Sequence, residues 1–145
     1  MSNFYFENLD VYQRALVFTN DVFNETKKWP KEHSFSLTDQ LRRASLSIAL
    51  NIAEGASRTT LDFKRFITIS RSSCHECVPI IEIAFSQKLI SSELKMMFKN
   101  KIDTTISTIS KSIENKVYEI FDDIYDKTKY AFKKIKSSTL IFPQT

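Results

Sequence analysis

The segment Gln40–Gly55, QLRRASLSIALNIAEG, constrains this chain most, because as a helix it is apolar on two sides. Wound at about 100° per residue, it joins Leu37 upstream to Leu41, Ala44, Ser45, Ile48 and Ile52 on one face, at steps of three and four. Leu46 and Leu50 point nearly the opposite way, with Ala53 beside them. A narrow stripe of Arg43, Ser47, Asn51 and Glu54 lies between. A helix of this kind must be covered twice, and one small bundle covers one side, so the second cover expected is another subunit. Arg43, Leu46, Ser47, Leu50, Asn51 and Glu54 are thus the expected oligomer interface. Arg43 and Asn51 donate and Glu54 accepts, so the stripe can satisfy itself between helices as an internal or intersubunit network. A ligand or RNA contact is the other reading of it.

Gly55 is the only glycine, and with three prolines in 145 residues the chain has almost no material for β-turns. The class is therefore all-α. One domain of this length buries roughly two-thirds of its unfolded surface. The net charge of +4 and a pI near 9.0 permit contact with nucleic acid or an acidic partner without requiring either. MSNFYFENLDVYQRA carries acids where a signal peptide would have its apolar run. No window approaches the roughly 18 apolar residues of a membrane span. Cys74 and Cys77 are too close together to staple a fold, which agrees with a reducing compartment. A cytoplasmic protein without membrane contact is expected.

In chain order, Phe4, Tyr5 and Phe6 form an apolar lead-in able to cap one end of the core. A first helix spans about Leu9 to Lys28, with Asp10 as N-cap, and Trp29-Pro30 stops it. Ser36 to Asp39 reads as a capping box opening the second helix, and Gly55 closes that helix from the C′ position. The third starts at a Thr60 cap and ends near Leu89, with Pro79 bending it rather than ending it. From Leu94 the residues Phe98, Ile102, Ile106, Ile109, Ile113, Val117, Ile120 and Ile124 step at three or four, and no Gly or Pro intervenes before Pro143. One helix to about Lys136 would span roughly 60 Å; a break near Asn115 with a short fifth helix is the alternative. Tyr118, Phe121, Tyr125, Tyr130, Phe132 and Ile135 are too apolar to stay in water. The expected organisation is one four-helix domain over residues 1–136, with 116–136 a helical C-terminal extension and 137–145 a frayed tail.

Cys74-His75-Glu76-Cys77 is a tempting cluster, but a zinc site needs further ligands and His33 lies in a distant loop. A redox CxxC wants a βαβ context. Both cysteines share a helical face with Phe66, Ile67 and Ile81, so core packing is expected. Glu76 and Glu82 do not share a face, which disfavours acid–base work. There is no Ser-His-Asp spacing, and one glycine cannot build a phosphate loop. No catalytic residue, metal ligand or cofactor is expected. Arg42, Arg43, Arg58, Lys64, Arg65 and Arg71 against Glu54 and Asp62 make the corner between helices two and three basic. Lys127, Lys129, Lys133, Lys134 and Lys136 make the C-terminal end basic too. A solvated face accounts for such lysines, whereas the planar fork of arginine suits phosphate. Arg42, Arg58, Lys64, Arg65 and Arg71 are the expected nucleic-acid contacts.

Phe6-Glu-Asn-Leu-Asp-Val-Tyr-Gln13, Trp29-Pro30, Leu41-Arg42-Arg43-Ala44, Ser47-Ile48, Asn51-Ile52-Ala53-Glu54-Gly55 and Arg58 resemble the four helix bundle proteins encoded by intervening sequences in bacterial 23S ribosomal RNA genes. They are also similar to the accessory protein of diversity-generating retroelements. The likeness continues through Phe63, Phe66, Ser73 and Glu76 to Ile81-Glu82-Ile83-Ala84 and covers about residues 4–114. Ser72 stands where the family usually has glycine, and Pro79 is unusual. The resemblance implies an up-down-up-down four-helix bundle, here with a long C-terminal helix, that assembles into a homopentameric ring with a basic surface. The function expected is a non-catalytic homo-oligomer binding RNA or DNA. The rival is a protein-interaction module docking a partner such as a reverse transcriptase through Leu46, Leu50 and the C-terminal aromatic stretch.

Overall fold

The computed structural model describes residues 4–138, with side chains to 135. Four α-helices carry them: α1 Asp10–Thr26, α2 Asp39–Ala56, α3 Thr60–Ser86 and α4 Ser92–Ser138. The chain divides into two compact units, one up to Ser112 and one from Ile113 onward, and α4 supplies helix to both without a break. The alternative of a fifth helix after Asn115 is thereby excluded. Of the expected frayed tail, residues 137–138 are still helical and the remainder lies outside the described residues.

The first unit is an up-down-up-down bundle, and its register can be read from buried hydroxyls. Thr19 Oγ1 donates to the Ser45 carbonyl at 2.9 Å, while Arg42 Nε donates to Thr26 Oγ1 at 2.7 Å. As the α1 number rises the α2 number falls, so the pair is antiparallel. Ser70 Oγ donates to the Ile48 carbonyl at 2.9 Å and sets α2 against α3 in the same sense. The core is filled by Val11, Ala15, Phe18 and Val22 of α1, Leu41, Ile48 and Ile52 of α2, Ile67, Cys74, Cys77 and Ile81 of α3, and Phe98, Ile102 and Ile109 of α4. These are the positions that helical spacing selects. Phe18 and Phe98 meet edge to face, with ring centroids 5.8 Å apart.

The helix ends differ from the sequence reading. Leu9, not Asp10, caps α1, and Asp10 instead pairs with Arg14 one turn on at 2.9 Å. The capping box at Ser36 does not form. Residues Ser34–Thr38 already wind as a wide π turn that runs into α2, so Ser36 is helical and its hydroxyl donates back to the His33 carbonyl. Gly55 is not a C′ residue; it lies inside α2 with no positive φ, and α2 continues to Ala56. The cap of α3 is Thr59, whose Oγ1 accepts from the Asp62 amide, rather than Thr60. α3 passes through Pro79 and stops at Ser86, three residues earlier than expected. It stops there because Lys88 takes the left-handed conformation at φ 58°, and the Leu89 and Lys88 amides bond the Ala84 and Phe85 carbonyls. In the lead-in, Phe6 stacks on Phe4 and meets Tyr12 edge-on, but Phe4 and Tyr5 remain exposed.

Candidate nucleic-acid interface

The corner between α2 and α3 is a three-residue connection, Ser57, Arg58 and Thr59, so the two helices must approach closely at that end. The approach is set by Gly55. A Cβ on Gly55 would meet Phe63 Cα at an ordinary 3.5 Å but would stand 2.9 Å from Phe66 Cβ, closer than real Cβ atoms come. The absence of a Cβ lets α3 lie against the last turn of α2. The connection is held by the Arg58 amide on the Gly55 carbonyl at 3.0 Å and by the Thr59 hydroxyl on Asp62 Oδ2 at 2.8 Å.

The five expected nucleic-acid contacts separate into three environments. Lys64, Arg65 and Arg71 stand exposed on the outer face of α3, and none of the three joins a salt bridge among the described residues. Arg58 lies at the corner, where Nε and Nη2 both donate to Glu54 Oε1, the first at 2.8 Å. That hydrogen bond, and next the Glu54 charge, raises the guanidinium pKa, so Arg58 stays cationic with its charge offset by the Glu54 carboxylate. Arg42 turns the other way: it is half-buried, bonds Thr26, and lies with its Cζ 5.2 Å from the centroid of Phe23. Arg42 thus ties α2 to α1, a role that needs the position of α1 and carries no signal in the local sequence.

Thr68 and Ser72 are also exposed on α3, at helical spacing from Lys64, and His75 follows one turn after Arg71. Sequence reasoning passed over these hydroxyls, although the i, i+4 step from Lys64 to Thr68 to Ser72 would have found them. From Phe63 to His75 the chain contains no carboxylate, so this face carries cations and no built-in anion, while the Thr68 and Ser72 hydroxyls donate back to the Lys64 and Thr68 carbonyls.

The polar stripe of α2 does not form one network. Ser47 Oγ pairs with Ser73 Oγ on α3 at 2.9 Å, and Asn51 Nδ2 donates to the Ser47 carbonyl at 2.8 Å and its hydroxyl at 3.0 Å. Arg43 instead reaches Asp39 at 3.7 Å, and Glu54 is taken by Arg58. Each charged member finds a partner one helical turn away, which leaves Ser47 to link α2 to α3, with Asn51 bonded to it from one turn further along α2. Leu46 and Leu50, 41% and 58% exposed, stay outside the core, as the two-sided pattern of α2 requires.

Cys74 and Cys77 are buried, with burial raising the Cys74 thiol to about 12 and pushing Cys77 up as well, while His75 and Glu76 point into solvent. The four cannot converge on one ion. Among the described residues no cluster of three or more His, Cys, Asp or Glu is placed to hold a metal, and no helix is long and apolar enough to cross a membrane.

Residues 7–112 match the sequence pattern of the 23S rRNA-intervening sequence protein family. The fold is similar to the crystal structure of a protein of unknown function from the S23 ribosomal protein family of Bacteroides thetaiotaomicron. The two share 22% identity with a TM-score of 0.67, over 72% of this chain and 95% of that one. At that identity the likeness establishes the fold alone. No curated protein matches the chain.

Proposed function

The chain belongs to the 23S rRNA-intervening sequence protein family, and we propose that it works without catalysis, as a self-assembling helical bundle that holds structured RNA against the outer face of α3. The observation that carries this reading is the carboxylate-free run from Phe63 to His75. It presents Lys64, Arg65 and Arg71 with two exposed hydroxyls between them. Arginine and lysine on such a face neutralise phosphates and release their counterions, a sequence-independent attraction suited to a folded backbone. Three cations make a weak site by themselves. Copies assembled through the Leu46 and Leu50 side of α2 would present the site several times, and linked weak contacts multiply into useful affinity. The homopentameric ring implied by the resemblance is one such arrangement.

The test is the affinity of the full chain for a structured RNA hairpin between about 50 and 200 mM salt. With three phosphates engaged per subunit, log K falls against log salt with a slope of about −2 to −3 for each subunit in contact. Arg65→Glu with Arg71→Glu lowers low-salt affinity at least tenfold and flattens the slope. Binding indifferent to salt, or equally tight in the double variant, overturns the reading.

A further inference from the structure

From Ile102 onward α4 repeats at an interval of eleven residues: Ile102, Ile113, Ile124 and Ile135 are evenly spaced, and Ile109, Ile120 and Ala131 keep the same step. An eleven-residue repeat is about 3.67 residues per turn, so the seam runs almost straight along the helix. In the first unit this seam is core, with Ile102 and Ile109 fully buried. In the second unit Ile120 and Ile124 are exposed on it, with Phe121 and Phe132 exposed along its edge. The residues past Ser112 also lie outside the span that matches the family.

Two features identify what this seam fits. Its positions, 113, 117, 120, 124, 128, 131 and 135, are separated by four, three, four, four, three and four residues, the same in both directions from Ile124. The charges are not symmetric. Residues 113–126 hold five carboxylates and one lysine, net −4, whereas residues 127–135 hold four lysines and no carboxylate, net +4. Packed helices lie 8–10 Å apart, about one Debye length at physiological salt, so these blocks interact across a pair. Parallel pairing would set −4 on −4 and +4 on +4. Antiparallel pairing about Ile124 instead sets residues 127–135, net +4, against residues 113–121, net −1, and leaves only the crossing segment 122–126, net −3, facing its own copy. Because the spacing is symmetric every seam position still meets a seam position. Ile113 then faces Ile135 of the second copy, Val117 faces Ala131, and Ile120 faces Thr128.

We propose that residues 113–135 pair antiparallel with the same helix of a second copy of this chain, crossing at Ile124. The pairing does not depend on the RNA reading or on the α2 face. It is tested on the full-length protein with Val117→Cys and Ala131→Cys, made singly and then co-expressed, under mild oxidation. The native Cys74 and Cys77 are buried and do not compete. Co-expression gives a covalent dimer of twice the 16.9 kDa chain mass, neither single variant cross-links by itself, and adding Ile124→Glu to both abolishes the product. Cross-linking of either single variant alone indicates parallel pairing and overturns the proposal. So does absence of a cross-link in the co-expressed sample, which would leave the seam to another partner such as RNA or a different protein.

Discussion

Gly55 of α2 lies so close to Phe66 of α3 that a β-carbon on the glycine would sit 2.9 Å from the phenylalanine's own Cβ. The glycine is a packing residue at a helix crossing. Its backbone is ordinary helix, and only the missing methyl group is required.

Gly55→Ala therefore has a diagnostic sign. In an exposed helix interior the substitution would stabilise by about 1 kcal/mol. Here it forces α3 away from α2 and is expected to destabilise by about 1–3 kcal/mol, as overpacking does. Urea denaturation midpoints decide between the two signs.

Lys88 is the opposite case, a non-glycine residue holding φ 58° where the chain leaves α3. Lys88→Gly keeps both amide–carbonyl bonds of the turn and removes the steric cost, so stability rises by about 0.5–1 kcal/mol. A melting temperature raised by a few degrees, with unchanged helicity, is the expected readout.

Glu82 joins α3 to α4 by accepting from Lys99 at 2.8 Å and Lys95 at 3.4 Å. The Lys99 hydrogen bond holds the Glu82 carboxyl below its ordinary range, and Glu82 in turn raises Lys99. The contribution of Glu82 is full above the ordinary glutamate pKa of about 4.3 and is lost as pH falls through its lowered folded value. That of Lys99 is full below about 10.4 and is lost as pH rises through its raised value. Glu82→Gln is accordingly less stable than the parent across the neutral range, and the two converge in acid. Chemical denaturation at pH 7 and pH 3 checks this; a gap as large at pH 3 as at pH 7 contradicts it.

Leu46 and Leu50 have no core to leave, so Leu46→Glu with Leu50→Glu changes stability by no more than about 0.5 kcal/mol per site and keeps the helical circular dichroism spectrum. If α2 is a self-assembly face, the particle mass measured by light scattering falls in the double variant. Cross-linking between positions 117 and 131 is unaffected, because it belongs to a separate surface. Unfolding of the double variant would mean that these leucines carry core packing after all.

Spacing along the chain made much of this legible. The helical class, the buried stripe of each helix, the two-sided α2 and the passage of α3 through Pro79 all follow from apolar residues at steps of three and four with few residues able to interrupt them. The unbroken course of α4 past Asn115 was left open by the same spacing and is decided by the structure. The basic character of α3 was legible for the same reason, since Lys64, Arg65 and Arg71 fall on positions the core stripe leaves outside.

Local sequence determined which residues are helical and which face of each helix seeks apolar company, because both depend on neighbours within about four positions. Tertiary structure decided the roles of single residues whose partners are remote in sequence. Arg42 became a tie to Thr26 and Phe23 rather than an outward cation, and Ser47 found Ser73. Gly55 became a gap for Phe66 rather than a helix stop. Each outcome turns on a distance of a few ångströms between two helices, and periodicity along one helix carries no information about how closely the next will pack.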